Sequence, residues 1–308
     1  MFGGKPPVPE SRFRAAVRVV WDRCMAIVMS QPSIDELGTA LETYRGWQRE
    51  GTPFQTHPGD LGWGWRFGAD AAAASVRTWS RDGEVLALGF LDEPTVLRLA
   101  IAPEALQDEE LALRLVAGVE LAMPQAKVVL EVTPYSLVRT LLLAGGWVAD
   151  DPWTQLRMDL TDPPPTHDLR VVVVGPDRVQ DRVEVQRAAF ERSTFTEEHW
   201  HAMAAGPLYA DARCLVGYDD SGCAVAAVTV WSAGAGRPGL LEPLGVHRDH
   251  RGLGHGRAIG LAAGAALREL GASSACVCTP SANRPAVATY LSAGFALVEE
   301  VPDLAPHR

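Results

Sequence analysis

Hydrophobic and polar positions alternate in short runs along this chain, and between those runs apolar residues recur at three- and four-residue spacing. That pattern predicts strands interleaved with helices. In the first half it predicts a helix over about 33–49, strands in "SVRTWSRDG", "EVLALGFL" and "TVLRLAIAP", and a helix over about 109–121. A strand in "KVVLEVTP", a helix in "YSLVRTLLLAGG" and a strand in "WTQLRMDL" follow. After residue 169 the order returns: strand "LRVVVVGP", helices over about 179–190 and 196–204, and strands "RCLVGYD", "CAVAAVTVWS" and "GLLEPLGVH". A helix over about 254–270, strand "SSACVCTP", helix "NRPAVATYLSAG" and strand "FALVEE" complete it. Each half is therefore mixed α/β with about six or seven strands.

The letters repeat as well as the pattern. "LEVTPYSLVRTLLLAGGW" lines up with "CVCTPSANRPAVATYLSAGF": a buried β run ended by Thr-Pro, a helix closed by glycine, then an aromatic opening the next strand. Between the halves, "DLTDPPPTHDLR" stacks three prolines and reads as a linker. The expected division is 1–160, a Pro-rich connection at 161–169, and 170–308. "HPGDLGWGWRF", if a strand, puts Trp63 and Trp65 on one face.

Composition narrows the partners. A length of 308 residues with 47% hydrophobic and 21% charged residues suits two folded cores. The most apolar stretch near the start, "AAVRVVWDRCMAIVMS", carries Arg18, Asp22 and Arg23, so neither a membrane anchor nor a signal peptide is expected. A net charge of −10 argues against nucleic acid, which needs clustered cations, and is compatible with a cationic substrate. Five cysteines without a CxxC pair make neither a disulfide framework nor a zinc site, and no metal is expected. Cys276 and Cys278 read as small buried apolar residues. A cytoplasmic monomer or homodimer fits these features, and the arginine-rich usage, with Lys5 and Lys127 the only lysines, fits a GC-rich bacterial source.

Candidate chemistry concentrates at "HRDHRGLGHGRAIG", residues 247–260. Its glycines follow an apolar strand and open a helix whose first-turn amides lack intrahelical partners. Such a bend favours an anion, and Arg251 and Arg257 add charge. It lacks the G-x-G-x-x-G of a dinucleotide loop and the Gly-Lys-Ser/Thr of a P-loop. It does carry R-x-x-G-x-G at Arg251, Gly254 and Gly256. A second motif, Asn-x-x-Ala-x-x-x-Tyr-x-x-x-Gly-Phe, falls at Asn283, Ala286, Tyr290, Gly294 and Phe295.

On these two motifs residues 242–297 closely resemble the GNAT acetyltransferase superfamily, and the element order extends the resemblance over 170–308. Arg248 stands where the family usually has proline. The resemblance implies an α/β (α+β) fold of two tandem domains, each a mixed, mostly antiparallel sheet flanked by helices. It implies acetyl-CoA as co-substrate, with the pyrophosphate on Arg251, Gly252, Leu253, Gly254, His255, Gly256 and Arg257. The pantetheine arm would pair with Leu244, Gly245 and Val246, alongside Asn283 and Ala286. Tyr290 becomes the candidate general acid for the leaving thiolate.

Glu242, a carboxylate in an apolar strand, is either the general base or a structural ion pair, and Pro243 beside it predicts a bulge or splay. His247, His250 and His255 read as loop histidines, since their spacing matches no metal set. Glu197, Glu198, His199 and Trp200 either meet a cationic amine or form a solvated helical face. The first half has no glycine loop, and Glu104, Asp108, Glu109 and Glu110 stand where phosphate would sit, so it reads as a degenerate repeat. The expected activity is N-acetylation of a small-molecule amine. A non-catalytic CoA-binding protein and a mycothiol-synthase-like acetylation of an amino-sugar conjugate remain open alternatives.

Overall fold

Twelve strands join edge to edge into one sheet, which the computed structural model describes for residues 27–52, 56–92, 95–122 and 129–307. The run around Arg18, Asp22 and Arg23 lies almost wholly outside those residues. The first half contributes β1 (Ile27–Ser30), α1 (Ile34–Trp47), α2 (Pro58–Gly64), α3 (Ala69–Ser75), β2 (Val76–Arg81), β3 (Glu84–Asp92) and β4 (Val96–Ile101). It continues with α4 (Glu109–Ala122), β5 (Val129–Val132), α5 (Leu137–Ala144) and β6 (Trp147–Asp159). The second half contributes β7 (Arg170–Val173), α6 (Val179–Ala189), α7 (Glu197–Ala204), β8 (Ala212–Tyr218), β9 (Ala224–Ser232) and β10 (Gly239–Val246). After these come α8 (His255–Glu269), β11 (Ser274–Pro280), α9 (Arg284–Ser292) and β12 (Ala296–Pro306).

Local chemistry accounts for these elements. Ser33 and Glu36 form a reciprocal capping box at the start of α1. Behind it Leu37, Ala40, Leu41, Tyr44 and Trp47 make one buried stripe at helical spacing. The strands are antiparallel to their neighbours except for β4–β5 and β10–β11, each joined through a crossover helix, α4 or α8.

The order across the sheet is β1-β2-β3-β4-β5-β12-β6-β11-β10-β9-β8-β7. The last strand of each half therefore lies against the other half. β12 sits between β5 and β6, pairing with β6 from Ala296↔Arg157 to Pro306↔Trp147, while β6 pairs with β11 from Ser274↔Asp159 to Pro280↔Trp153. Both strands are longer than their apolar runs suggest: β6 begins at Trp147 and β12 continues to Pro306. Residues 160–169 form the irregular connection between β6 and β7.

"HPGDLGWGWRF" is a correction to the strand expectation. It folds as α2 followed by a short 3-10 turn, Trp65–Phe67. His57 caps α2 by accepting from the Gly59 amide, Pro58 takes the first helical position, and Asp60 accepts from the His57 amide at 2.7 Å. Gly59 and Gly62, one turn apart, leave a flat face that lies on the fully buried Trp231 of β9. A Cβ on either glycine would come within 2.5 Å of that ring. The Trp231 Nε1 donates to the Glu242 carbonyl at 2.8 Å. One contact thus ties a first-half helix to the centre of the second half.

Candidate active site

Glu242 and Pro243 interrupt β10 as Pro243 predicts. The pairing with β9 shifts register between Leu241 and Leu244, and the parallel pairing with β11 ends at Leu240↔Cys276. Beyond that point β10 and β11 part, leaving the C-terminal end of β10 without a partner on one side. A groove of about 580 Å³ opens there.

Leu244, Gly245 and Val246 supply its strand wall; Ala189, the last residue of α6, and Phe190 after it press so close that a Cβ on Gly245 would lie 2.6 Å from the Ala189 Cβ. Arg251, Gly252, Gly254, His255, Gly256 and Arg257 supply its loop wall, and Asn283, Ala286 and Tyr290 its α9 wall. Leu253 is separate from this set: it stands 67% exposed, outside the groove.

The loop is shaped as an anion cradle. Gly254 begins α8 in the left-handed region (φ 85°) with no side chain capping the helix, and Gly252 shares that conformation (φ 80°). The first-turn amides of α8 therefore face the groove end with the positive end of the helix dipole behind them. Gly256 has a different role. A Cβ there would meet the Thr289 side chain at 2.8 Å, so this glycine lets α8 and α9 approach.

The arginines are engaged with backbone. Arg251 donates to the Ala189 carbonyl at 2.8 Å and Arg257 to the Ser292 carbonyl at 3.0 Å, capping α6 and α9. Arg248, in the place of the family's usual proline, donates to Arg187 and Ala188 carbonyls. Asn283 caps α9 by accepting from the Ala286 amide. His247 meets His250 edge-on, and His250 lies tilted against His255 beside the loop.

Tyr290 is buried, packed edge-on against Phe295 at 5.6 Å. Burial holds its phenol well above the usual range, and the nearby Glu242 and Cys278 push it the same way, so the hydroxyl keeps its proton. Glu242 lies on the other side, where burial raises its carboxyl to about 7, with Asp60 adding to the rise and Arg98 opposing it. It carries no ion pair or hydrogen bond through its carboxyl among the described residues.

Two spaces meet at this residue. An open cleft reaches it past Trp63, Arg66, Phe190, Phe195 and His199. A more enclosed cavity of about 260 Å³ extends from it into the first half, past Arg98, Glu131, Gln155, Cys278 and Asp303. Sequence reasoning missed this cavity, because β4, β5, β6 and β12 come together only through the strand exchange.

The remaining candidates divide. His199 lines the cleft against Phe195 and Phe67, whereas Glu197 and Glu198 are exposed at the first turn of α7 and Trp200 is buried under it. Trp63 stacks on Phe195 at 5.1 Å and lines the cleft; Trp65 is buried.

The equivalent place in the first half is filled. Asp108 accepts from the Leu111 amide at the start of α4, and Arg81 bridges Asp108 and Glu110 at 2.7 and 3.1 Å. Aligning the repeats on Gly146 and Gly294, both at φ 95°, puts buried Leu142 opposite Tyr290. Aligning Leu97↔Leu130 on Leu240↔Cys276 puts buried Leu99 opposite Glu242, and β4–β5 pairing there continues to Leu99↔Val132.

An uncapped helix start, a parted strand pair and a tyrosine lining the same groove form a site suited to an anion that carries an extended arm. Comparison with known proteins finds one family match: residues 179–295, most of the second half, match the Acetyltransferase (GNAT) family. No curated protein matches the chain.

Solved structures share the fold across both halves. A GCN5-related N-acetyltransferase from Sphaerobacter thermophilus is 17% identical with a TM-score of 0.57, over 91% of this chain and 95% of that one. A tandem GNAT protein from the clavulanic acid biosynthesis pathway is 15% identical with a TM-score of 0.55, over 90% and 97%. The N-myristoyltransferase of Saccharomyces cerevisiae, solved with myristoyl-CoA, is 9% identical with a TM-score of 0.55, over 92% and 78%.

Proposed function

We propose that this protein is an acetyl-CoA-dependent N-acetyltransferase that acetylates a primary amine of a small-molecule acceptor by direct attack. The observation that carries the reading is the meeting of three spaces at two residues: groove at Tyr290, cleft and cavity at Glu242. The residues of the groove fit the coenzyme. Amides of 252–257 suit its diphosphate, and the unpaired edge of β10 at Leu244–Val246 suits the amides of its arm. When bound, the coenzyme supplies a thioester whose acyl group is transferred and whose sulfur leaves as thiol.

The chain's own residues do the rest. Glu242, ionised at neutral pH in about half of the molecules, takes the proton from the incoming ammonium or from the nitrogen as the N–C bond forms. Tyr290, kept protonated by burial, returns a proton to sulfur as the C–S bond breaks. A protein that only bound the coenzyme would have no use for an unpaired carboxyl at this depth. Calorimetric titration with CoA, followed by thiol release from acetyl-CoA over a panel of amines, tests the proposal. No heat on titration, or no amine-dependent thiol, refutes it.

A further inference from the structure

We infer that the acceptor is a small dicationic or polycationic amine, its reacting nitrogen at Glu242 and a second ammonium held by Asp303 and Gln155 in the cavity between the halves. This names the substrate class of the site above and rests on that acyl-transfer reading. The cavity wall carries five carboxylates, Asp60, Asp92, Glu131, Glu242 and Asp303, against one guanidinium. Arg98 is taken up by three of them: Glu131 at 2.8 Å, Asp92 at 2.9 Å and Asp60 at 3.6 Å.

Two further carboxylates and an amide oxygen line the same space. The Glu242 and Asp303 carboxylates have no hydrogen-bond or ion-pair partner among the described residues. The Oε1 of Gln155, a residue only 6% exposed, is also unpartnered and lines the same space. A buried acceptor left without a donor, as the Gln155 oxygen is, is costly, and the half-buried carboxylates of Glu242 and Asp303 beside it add negative charge. The group that relieves all three is one rich in N–H and carrying more than one positive charge. No three of these carboxylates are grouped to hold a metal ion among the described residues. A volume of about 260 Å³ lies below the ~300–1,000 Å³ of drug-sized sites, which limits the acceptor to a short chain.

Electrostatics agree with an organic cation. Burial raises Glu131, Glu242 and Asp303 above their usual range, Asp303 to about 6, so the cavity holds protons that an entering cation displaces.

The test compares 1,4-diaminobutane with butylamine, equal in chain length and different by one charge. With acetyl-CoA, kcat/KM for the diamine is expected to exceed that for butylamine by about 10- to 100-fold, the worth of one charge-assisted contact. Asp303→Asn should raise KM for the diamine about 10-fold and bring its kcat/KM close to that of butylamine, with an intact cooperative thermal transition and CoA titration showing that the variant folds. Without any coenzyme, the diamine but not butylamine should raise the thermal unfolding midpoint of the wild type. Equal kcat/KM for the two amines, or an Asp303→Asn effect shared by both, overturns the inference while leaving acyl transfer intact. Failure of CoA to bind refutes the acyl-transfer reading instead, and the coenzyme-free unfolding measurement still decides on the cavity.

Discussion

Replacing Glu242 by glutamine gives the most direct measure of the chemistry. Glutamine keeps the shape of the side chain but cannot accept a proton, and position 242 lies outside the coenzyme groove. General-base assistance is worth about 10²–10⁴ in rate, so Glu242→Gln should lower kcat/KM by roughly that factor above pH 8 and leave CoA affinity unchanged. The carboxyl titrates at about 7, so half of the wild-type sites are charged at pH 7 and about a tenth at pH 6. The amine's own titration is common to both proteins and cancels in the ratio of wild-type to variant kcat/KM. That ratio should fall about tenfold per pH unit below 7 and level off above 8. The assay is thiol release between pH 5.5 and 9. A ratio near one, or a ratio that does not change with pH, would show that Glu242 is not the base.

Three further outcomes follow from the same geometry. Tyr290→Phe keeps the packing on Phe295 and removes the proton donor; kcat should drop by about 10²-fold in turnover assays while calorimetry finds CoA binding intact. Gly62→Ala sets a methyl 2.5 Å from the immovable Trp231 ring and should cost about 1–3 kcal/mol in denaturant unfolding, with activity falling because that indole holds the Glu242 carbonyl. Between pH 6.5 and 8.5 the ligand-free protein should lose stability as pH rises. Glu131 and Glu242 are raised on folding, so the native state binds more protons than the unfolded chain there and the slope is negative. Below that window buried His57, depressed to about 4, acts in the opposite sense, so thermal midpoints should be compared above pH 6.5.

Much of the second half's site can be read from letters because its parts are local. The glycine bend, the capping Asn283 and the facing Ala286 and Tyr290 all depend on spacing within one loop or one helix. Glu242 is legible for a related reason, since a carboxylate and a proline stand out in an apolar strand. The cavity is not legible, because Arg98, Glu131, Gln155 and Asp303 come from four strands whose neighbours are fixed by long-range pairing. The misread of residues 57–67 has a local cause. Alternating tryptophans suggested period two, whereas the informative signals were the cap and proline at His57–Pro58 and the glycines one turn apart at 59 and 62. The position of β12 gives no sequence signal at all, since its apolar pattern is equally satisfied beside its own half.

The placement of β12 between β5 and β6 also sets an order on biosynthesis. Residues 296–306 leave the ribosome well after β5 and β6, yet the half made before them has no complete sheet until they arrive. Until then β5 and β6 expose unpaired backbone edges, the kind of surface that invites pairing with another nascent chain. Chain termination before residue 296 should therefore harm residues synthesised long before it, and two separately translated halves would each have to borrow a strand from the other, as subunits of an exchanged dimer do. Having both repeats on one chain makes that exchange intramolecular and independent of concentration, and it brings strands of the first half to the wall of the cavity at Glu242.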